Sequence, residues 1–254
     1  MRRAGLLLGG LLWLGAVLGT GTGAVAQAAA CENITWENIP FSICRAKAGD
    51  NLFMALAGAD GRPLGSFAAL QDSLGNARLV FAMNGGMYHQ DRRPVGLYIE
   101  NGQQVTPASD GGGYGNFGLL PNGIFCIEPD RLKVWESSAF AAARPACRYA
   151  TQSGPMLVIN GRLHPKFLPD SPSRRLRNGV GTSADGSRAV FAISGAPVTF
   201  HQFARLFRDR LGLPDALFLD GSVSRLYAPE LGRNDAGTAM GPIIALAVPV
   251  ATDK

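Results

Sequence analysis

Tight two-residue turns recur along this chain, and they restrict how its strands can pair. Three such turns separate short apolar segments: Asn101-Gly102, Asn160-Gly161 and Asp185-Gly186. Asn-Gly and Asp-Gly favour turns whose twist matches that of two antiparallel strands in a hairpin. A parallel pair would instead need a long crossover connection, usually a helix. The turns therefore predict an α+β fold with mixed or antiparallel sheets rather than a doubly wound parallel sheet.

Two segments carry helix signals. Residues 66–74 are predicted to form a short helix that ends at Gly75. A second helix is predicted to begin at Thr199, because Thr199 and Gln202 have the spacing of a capping box and Gly212 stands where a helix would stop. Phenylalanines recur along it at helical spacing and predict a face buried in the core. We therefore expect a few helices packed on the sheets of a single domain.

The first 26 residues have the pattern of a secretory signal peptide. Two arginines precede an apolar segment at 6–18, and Ala24-Val25-Ala26 fits a cleavage site. The pattern predicts a mature chain of residues 27–254 that is periplasmic or secreted. The alternatives are a retained N-terminal anchor and a lipoprotein signal that ends at Cys31.

Charge and motif content argue against several classes of function. The formal net charge of +5 falls to +3 without Arg2 and Arg3, so no nucleic-acid partner is expected. No later apolar segment reaches membrane-spanning length. The chain has neither a Walker loop nor a Gly-x-Ser-x-Gly elbow. The glycine-rich stretch at 111–115 lacks the strand and helix of a dinucleotide site, and the histidines lack metal-ligand spacing. No cofactor and no metal site are expected, although a Ca²⁺ held by backbone carbonyls and one Asp would leave little trace in the sequence.

Four cysteines follow the predicted cleavage site: Cys31, Cys44, Cys126 and Cys147. An even number in an exported chain indicates two disulfides, and three pairings are possible. We favour Cys31 with Cys44 and Cys126 with Cys147, because each pair encloses a compact stretch. Free buried thiols are the alternative, and lipidation of Cys31 would compete with its disulfide.

Polar residues interrupt apolar segments at three distant places in the chain. The apolar stretch 215–219 leads directly to Asp220, which places a carboxylate at the end of a buried strand. The stretches 81–88 and 151–157 change from apolar to polar in the same way. Strand ends on a rigid scaffold are where catalytic groups are often held. The three places therefore predict one site built from distant parts of the chain.

Four motifs carry a resemblance to a known family. They are residues 81–88, Ser153-Gly154-Pro155, residues 177–181 and Leu219-Asp220-Gly221-Ser222. In this order they resemble the phosphodiester glycosidase family, and the resemblance extends over about residues 40–249. Two motifs depart from the family pattern. Asn178-Gly179 stands where the family enzyme has Thr-Ala, and Ser222-Val223-Ser224 replaces part of a glycine run. These departures bear on the substrate more than on the fold.

The resemblance implies cleavage of the bond between a sugar's anomeric carbon and a phosphodiester oxygen. A carboxylate would then stabilise the positive charge on the sugar, attack it or activate water, and Asp220 is the candidate. Asp220 as a simple turn cap is the alternative. A phosphate leaving group needs cationic or N–H donors more than a strong acid. Arg177 is the first candidate for that role and Arg175 the second, although Arg177 could instead pair with a structural carboxylate.

The remaining candidates would bind or orient the substrate. Gly85 and Gly86 could bring backbone N–H groups close to an anion, although the same residues also favour a simple turn. Ser153 is a candidate catalytic hydroxyl. The other candidate substrate-binding residues are Asn84, Tyr88, His89, Asn178, Gly221 and Ser222. Arg92 and Arg93 are interpreted as solvated loop charges.

The expected partner is a carbohydrate or sugar phosphate. The favoured function is an exported hydrolase that acts on a sugar-1-phosphodiester or a related cell-envelope glycan. A glycan-binding or assembly protein that kept the fold and lost the reaction is the alternative. A serine hydrolase using Ser153 or Ser222 is a third hypothesis, which the lack of a histidine close to either serine in the sequence disfavours.

Overall fold

A computed structural model describes residue 1, residues 30–110 and residues 115–250. The predicted signal peptide at 1–26 and most of the glycine-rich stretch at 111–115 lie outside the described residues.

Most of the regular structure is β-strand. The strands are β1 (Cys31–Trp36), β2 (Ile39–Lys47), β3 (Leu52–Ala55), β4 (Ala77–Asn84), β5 (Tyr98–Glu100), β6 (Gln103–Thr106), β7 (Gly123–Ile127), β8 (Leu132–Glu136), β9 (Tyr149–Ser153), β10 (Met156–Ile159), β11 (Arg162–Leu163), β12 (Asn178–Thr182), β13 (Arg188–Ser194), β14 (Asp215–Asp220), β15 (Leu226–Ala228), β16 (Arg233–Asn234) and β17 (Ile243–Pro249).

The helices are few and short. They are α1 (Phe67–Ser73), α2 (Ser137–Ala143) and α3 (Phe200–Arg205), which continues as a π-helical turn at Leu206–Arg210, and a 3₁₀ turn spans Pro229–Leu231. The predicted capping box of Thr199 and Gln202 is present at the start of α3. Ser66 caps α1 as its side chain accepts from the Ala69 N–H. Helix α2 was not predicted, and its N-cap is Glu136 rather than one of the usual capping residues.

The strands form three sheets in which every described pair is antiparallel. The largest has the order β1-β2-β13-β12-β14-β10-β11, the second β16-β15-β4-β17-β3, and the third β6-β5-β9-β7-β8. The hairpin turns at Asn101-Gly102 and Asn160-Gly161 have positive φ at both residues, as the type I′ turn requires. The predicted α+β class with antiparallel sheets is confirmed.

The main core lies where the three sheets meet. The Phe191 ring of the largest sheet lies 5.3 Å from Phe81 of the second sheet and 5.7 Å from Phe125 of the third, measured between ring centroids. All three rings are fully buried. Helix α3 covers the opposite face of the largest sheet and packs Phe203 between Phe41 and Phe207, which confirms the predicted buried phenylalanine face. This packing holds the ends of β4, β12 and β14 against one another.

Both disulfides have the favoured local pairing. Cys31 and Cys44 are directly opposite each other in the β1–β2 hairpin and are bonded. Cys126 of β7 is bonded to Cys147, just before β9. The thiol that lipidation would use is therefore held in a disulfide.

Candidate functional site

The candidate site lies where the largest and second sheets meet at strand ends. Strand β4 ends at Asn84, β12 begins at Asn178, and β14 ends at Asp220. Asn178 is opposite Asp220 in the pairing of β12 with β14, whereas Asn84 belongs to the other sheet. Three residues that the sequence analysis singled out are therefore brought together from positions as much as 136 apart in the chain.

Asn178 links the two sheets through its buried amide. Its Nδ2 donates to Asn84 Oδ1 at 2.9 Å and to the Asn84 carbonyl at 3.2 Å, while its Oδ1 accepts from the Asp220 backbone N–H at 3.1 Å. Asn84 Oδ1 also accepts from the Arg225 N–H at 2.9 Å. Asn84 Nδ2 is buried and has no hydrogen-bond partner among the described residues. A buried polar group left unpaired is costly and uncommon, as is typical of functional sites. We call these residues the Asn84–Asn178–Asp220 network.

Asp220 is held by backbone donors immediately after its strand. Its Oδ1 accepts from the Ser222 N–H at 2.8 Å and the Val223 N–H at 3.4 Å. The side chain is mostly buried, and burial raises the pKa of Asp220 above its ordinary value, although hydrogen bonds from Ser222, Val223 and Gly221 oppose the shift. A carboxylate that combines restricted motion with a raised pKa is typical of a catalytic acid, base or nucleophile.

Asp220 faces a cavity of about 530 Å³, which we call the Asp220 cavity. Its walls come from β14 and the loops around it: Met87, Tyr88, Arg92, Val95, Gly115, Asn116, Phe117, Asp220, Ser222, Val223 and Thr238. A volume of this size is within the range of small-molecule sites. Of the predicted site residues, Tyr88, Asp220 and Ser222 line this cavity.

The backbone at Gly86 packs against β9. Gly86 has φ of +130°, and a Cβ there would lie 2.7 Å from Thr151 Oγ1. The Thr151 hydroxyl donates to the Gly85 carbonyl at 2.6 Å, and the Gly85 N–H donates to the Pro242 carbonyl at 2.7 Å. The Gly85 N–H is thus engaged within the protein. Glycine at these positions allows β4 to leave its sheet close to β9.

Ser153 supports the site from behind. It is fully buried, and its hydroxyl donates to the Leu219 carbonyl at 2.7 Å. This bond fixes the residue immediately before Asp220. In this arrangement the Ser153 oxygen is closed off from solvent, whereas Ser222 is exposed and lines the cavity.

Tyr88 and Arg92 form one wall of the Asp220 cavity. The Arg92 guanidinium carbon lies 5.5 Å from the centroid of the Tyr88 ring. The pKa of Tyr88 is raised by burial and by the charge of Asp220, against the opposing charges of Arg92 and Arg225. Arg92 lies in a loop and is partly exposed, and its side chain also lines the Asp220 cavity. Its backbone has a φ of +73°, and the neighbouring Arg93 forms an exposed ion pair with Asp91.

Arg177 is buried behind the site and forms no ion pair with a carboxylate among the described residues. Its guanidinium carbon lies 3.6 Å from the centroid of the Phe200 ring, and it donates to the Val198 and Ser173 carbonyls. Its Nη1 would lie 3.9 Å from a Cβ at Gly221. Burial, together with the charge of Arg175, lowers the pKa of Arg177 to about 10.

Two predicted residues are exposed and lie away from the walls of the Asp220 cavity. Arg175 is exposed and donates to the Arg174 carbonyl, and His89 is exposed in the turn before Arg92. Conversely, Phe117, Arg225 and Thr238 were not predicted, although they line this cavity or the one beside it. Arg225 is five residues beyond Asp220, and that proximity was the only sequence signal for it.

No group of three or more His, Cys, Asp or Glu side chains lies close enough to hold a metal ion in the described part of the chain. No helix among these residues combines the length and apolar character needed to cross a bilayer.

The sequence profile of the phosphodiester glycosidase family matches residues 77–249, which include every strand of the site. The chain belongs to the phosphodiester glycosidase family. This chain is also similar to the uncharacterized protein YigE of Escherichia coli strain K12, with 38 % identity over 170 residues, which are 66 % of each chain. The family match begins later than the predicted boundary at residue 40, so β1 to β3 lie outside it.

Solved structures of low sequence identity share the fold. The catalytic domain of zebrafish N-acetylglucosamine-1-phosphodiester alpha-N-acetylglucosaminidase, auto-inhibited by its pro-peptide, has a TM-score of 0.58 at 14 % identity, covering 85 % of this chain and 81 % of that one. A hypothetical protein from Synechocystis has a TM-score of 0.55 at 14 % identity. The match covers 86 % of this chain and 61 % of the Synechocystis protein.

Proposed function

We propose that this protein hydrolyses the bond between the anomeric carbon of a sugar and an oxygen of a phosphodiester. One observation carries the proposal: Asp220 is a mostly buried carboxylate with a raised pKa, held by backbone donors on the wall of a cavity. Membership of the phosphodiester glycosidase family supports the reaction class.

The proposed reaction needs an ionised carboxylate beside the sugar more than it needs a proton donor to the leaving group. As the bond from the anomeric carbon to the phosphate oxygen breaks, its electron pair leaves with the phosphate monoester, and positive charge develops on the sugar. Ionised Asp220 would stabilise that charge and either accept a proton from the attacking water or attack the carbon itself. Cationic side chains on the cavity wall would stabilise the departing phosphate.

The neighbours of Asp220 would keep it in place for this role. The Asn84–Asn178–Asp220 network fixes its backbone through the Asn178 side chain, and the Ser153 hydroxyl fixes the residue before it. In this proposal Ser153, Asn84 and Asn178 act as positioning residues rather than as groups that contact the substrate. Their buried hydrogen bonds preorganise the carboxylate before the sugar arrives.

We further propose that the protein works in an oxidising compartment outside the cytoplasm. Two disulfides, Cys31–Cys44 and Cys126–Cys147, support this location because such bonds persist mainly in exported proteins. The substrate would then be a phosphodiester-linked glycan of the cell envelope or its surroundings.

Hydrolysis of a panel of α-sugar-1-phosphodiesters tests the reaction. The wild type is expected to release free sugar and a phosphate monoester, and Asp220→Asn is expected to abolish the release while the protein still folds. Asp215→Asn is the matched control, because Asp215 lies at the other end of β14 and accepts a hydrogen bond from the Asn160 N–H, which asparagine can also accept.

Three outcomes separate the hypotheses. Turnover retained by Asp220→Asn would refute the assigned role. Binding of an intact phosphodiester by the wild type without turnover would favour the glycan-binding alternative. Labelling of the protein by a fluorophosphonate probe would instead indicate a serine hydrolase.

A further inference from the structure

A second cavity adjoins the Asp220 cavity and is of similar size. It has a volume of about 760 Å³, and we call it the Arg225 cavity. The two cavities share Ser222, Val223 and Thr238 as a common wall. The two cavities therefore border each other at these three residues.

Arg225 is held at the junction of the two cavities. Its backbone N–H donates to Asn84 Oδ1 at 2.9 Å, which ties it to the Asn84–Asn178–Asp220 network. Its guanidinium donates from Nη2 to Thr238 Oγ1 at 3.3 Å. The side chain lies directly over Gly237, whose φ is +147°, and a Cβ at that position would collide with the guanidinium. The cation is thus positioned by a backbone bond, a hydroxyl and a glycine that leaves room for it.

Arg225 is a cation without a carboxylate partner. Among the residues that the structure describes, no Asp or Glu forms an ion pair with Arg225, and the same is true of Arg92 across the shared wall. Arg233 lines the same cavity but is neutralised by Asp235, to which it donates at 2.8 Å from Nη2. Arg92 on the wall of the Asp220 cavity and Arg225 on the wall of the Arg225 cavity are therefore cations without a carboxylate partner, and both are available to an anionic group.

We infer that Arg225 binds the phosphate of the substrate and that the Arg225 cavity takes a hydroxyl-rich aglycone attached to that phosphate. This inference rests on the proposed function, and it names the side of the site on which the leaving group lies. The sugar occupies the Asp220 cavity, the phosphate lies between Arg225 and Arg92, and the aglycone extends beyond Thr238. A planar guanidinium can give two parallel hydrogen bonds to phosphate oxygens.

The walls of the Arg225 cavity identify the aglycone class. Hydroxyl groups of Ser222, Ser224 and Thr238 line it together with the Arg233–Asp235 ion pair. These groups can donate to and accept from the hydroxyls of a sugar or a polyol. An alkyl chain would cover these polar groups without offering them any hydrogen bond, which disfavours a lipid in this position.

Binding of leaving-group mimics tests the inference independently of turnover. Isothermal titration calorimetry is run on the purified wild type with glycerol 3-phosphate, glycerol and octyl phosphate. Glycerol 3-phosphate is expected to bind, glycerol is expected not to bind, and octyl phosphate is expected to bind more weakly than glycerol 3-phosphate. Arg225→Gln is expected to weaken binding of glycerol 3-phosphate about 10- to 100-fold, as charge-assisted hydrogen bonds predict. Arg225→Lys should retain part of the affinity.

Arg78→Gln is the matched control, because Arg78 is an exposed arginine at the far end of β4 from Asn84. Equal affinity in Arg225→Gln and Arg78→Gln, or no binding by the wild type, would overturn the inference. Equal or tighter binding of octyl phosphate would overturn its aglycone part. Thermal unfolding of each variant confirms that a loss of affinity is not a loss of fold. Arg225-dependent binding in a protein that hydrolyses nothing would refute the reaction but keep the phosphate site.

Discussion

Replacement of Asn178 by aspartate tests whether the Asn84–Asn178–Asp220 network is as buried and connected as the geometry indicates. The change keeps the shape of the side chain and its acceptor for the Asp220 N–H, but it removes both hydrogen bonds that Nδ2 donates to Asn84. Each bond is worth about 1 kcal/mol of net stability, so about 2 kcal/mol is lost. Ionisation adds a penalty of several kcal/mol, because the new carboxylate is fully buried and lies beside the Asp220 carboxylate.

The pH dependence separates these two contributions. Burial raises the folded pKa of the new carboxyl above its unfolded value of about 3.9, so the folded state holds its proton to higher pH than the unfolded state does. The loss of stability is therefore smallest near or below that value, where the protonated side chain can still donate one bond to Asn84. As the pH rises toward the folded pKa, the destabilisation of Asn178→Asp grows, and it exceeds about 4 kcal/mol once the group is ionised.

Urea unfolding followed by circular dichroism at about pH 4 and about pH 8 measures this difference, with the wild type at both pH values as reference. Asn234→Asp is the control, because Asn234 is exposed on β16 and its change should cost no more than about 0.5 kcal/mol. A destabilisation of Asn178→Asp that is the same at both pH values, or that matches the control, would refute the buried network.

Three further outcomes follow from the structure. The acid limb of kcat/KM against pH should lie above the pKa of a free aspartate, because burial raises the pKa of Asp220, and a limb at or below that pKa would contradict its assignment. Replacing both Cys31 and Cys44 with serine removes a disulfide between residues 13 positions apart and should lower the free energy of unfolding by about 3 kcal/mol. Urea titration measures this loss, and an unchanged midpoint would show that the disulfide does not constrain the unfolded chain. Gly86→Ala should lower the free energy of unfolding by more than about 2 kcal/mol and reduce activity, because its Cβ would collide with the Thr151 hydroxyl. Gly161→Ala should lower it by only about 1 kcal/mol, because no atom lies within 4 Å of a Cβ at that position. Equal losses of stability in thermal unfolding would contradict the steric argument.

Local signals predicted the elements of the fold better than they predicted its assembly. The Asn-Gly turns and the capping box at Thr199 depend on residues next to each other in sequence, so their physics is visible without the structure. Helix α2 begins at an uncommon N-cap, Glu136, and carries no such signal. The meeting of three sheets around Phe191 depends on contacts between residues far apart, which no local pattern specifies.

The contrast between local signals and contacts of distant residues also explains which site residues could be predicted. Asp220 and Asn84 end buried strands, so the change from apolar to polar residues located them. The place of Arg92 on the cavity wall was not predicted, because sequence does not indicate a left-handed backbone conformation at an arginine. Arg225 was missed because its position depends on the space over Gly237 and on the Asn84 side chain from another strand.

The position of Asp220 favours catalysis over simple binding of an anionic glycan. In the proposed reaction, the Asp220 carboxylate repels the phosphodiester of the intact substrate, whereas Arg92 and Arg225 attract it. As the glycosidic bond breaks, positive charge develops on the sugar next to Asp220 while negative charge builds on the phosphate next to the arginines. Every one of these interactions then becomes more favourable than it was with the intact substrate. An arrangement that binds the transition state better than the substrate is what accelerates a reaction, whereas a binding protein would gain affinity by replacing Asp220 with a neutral residue.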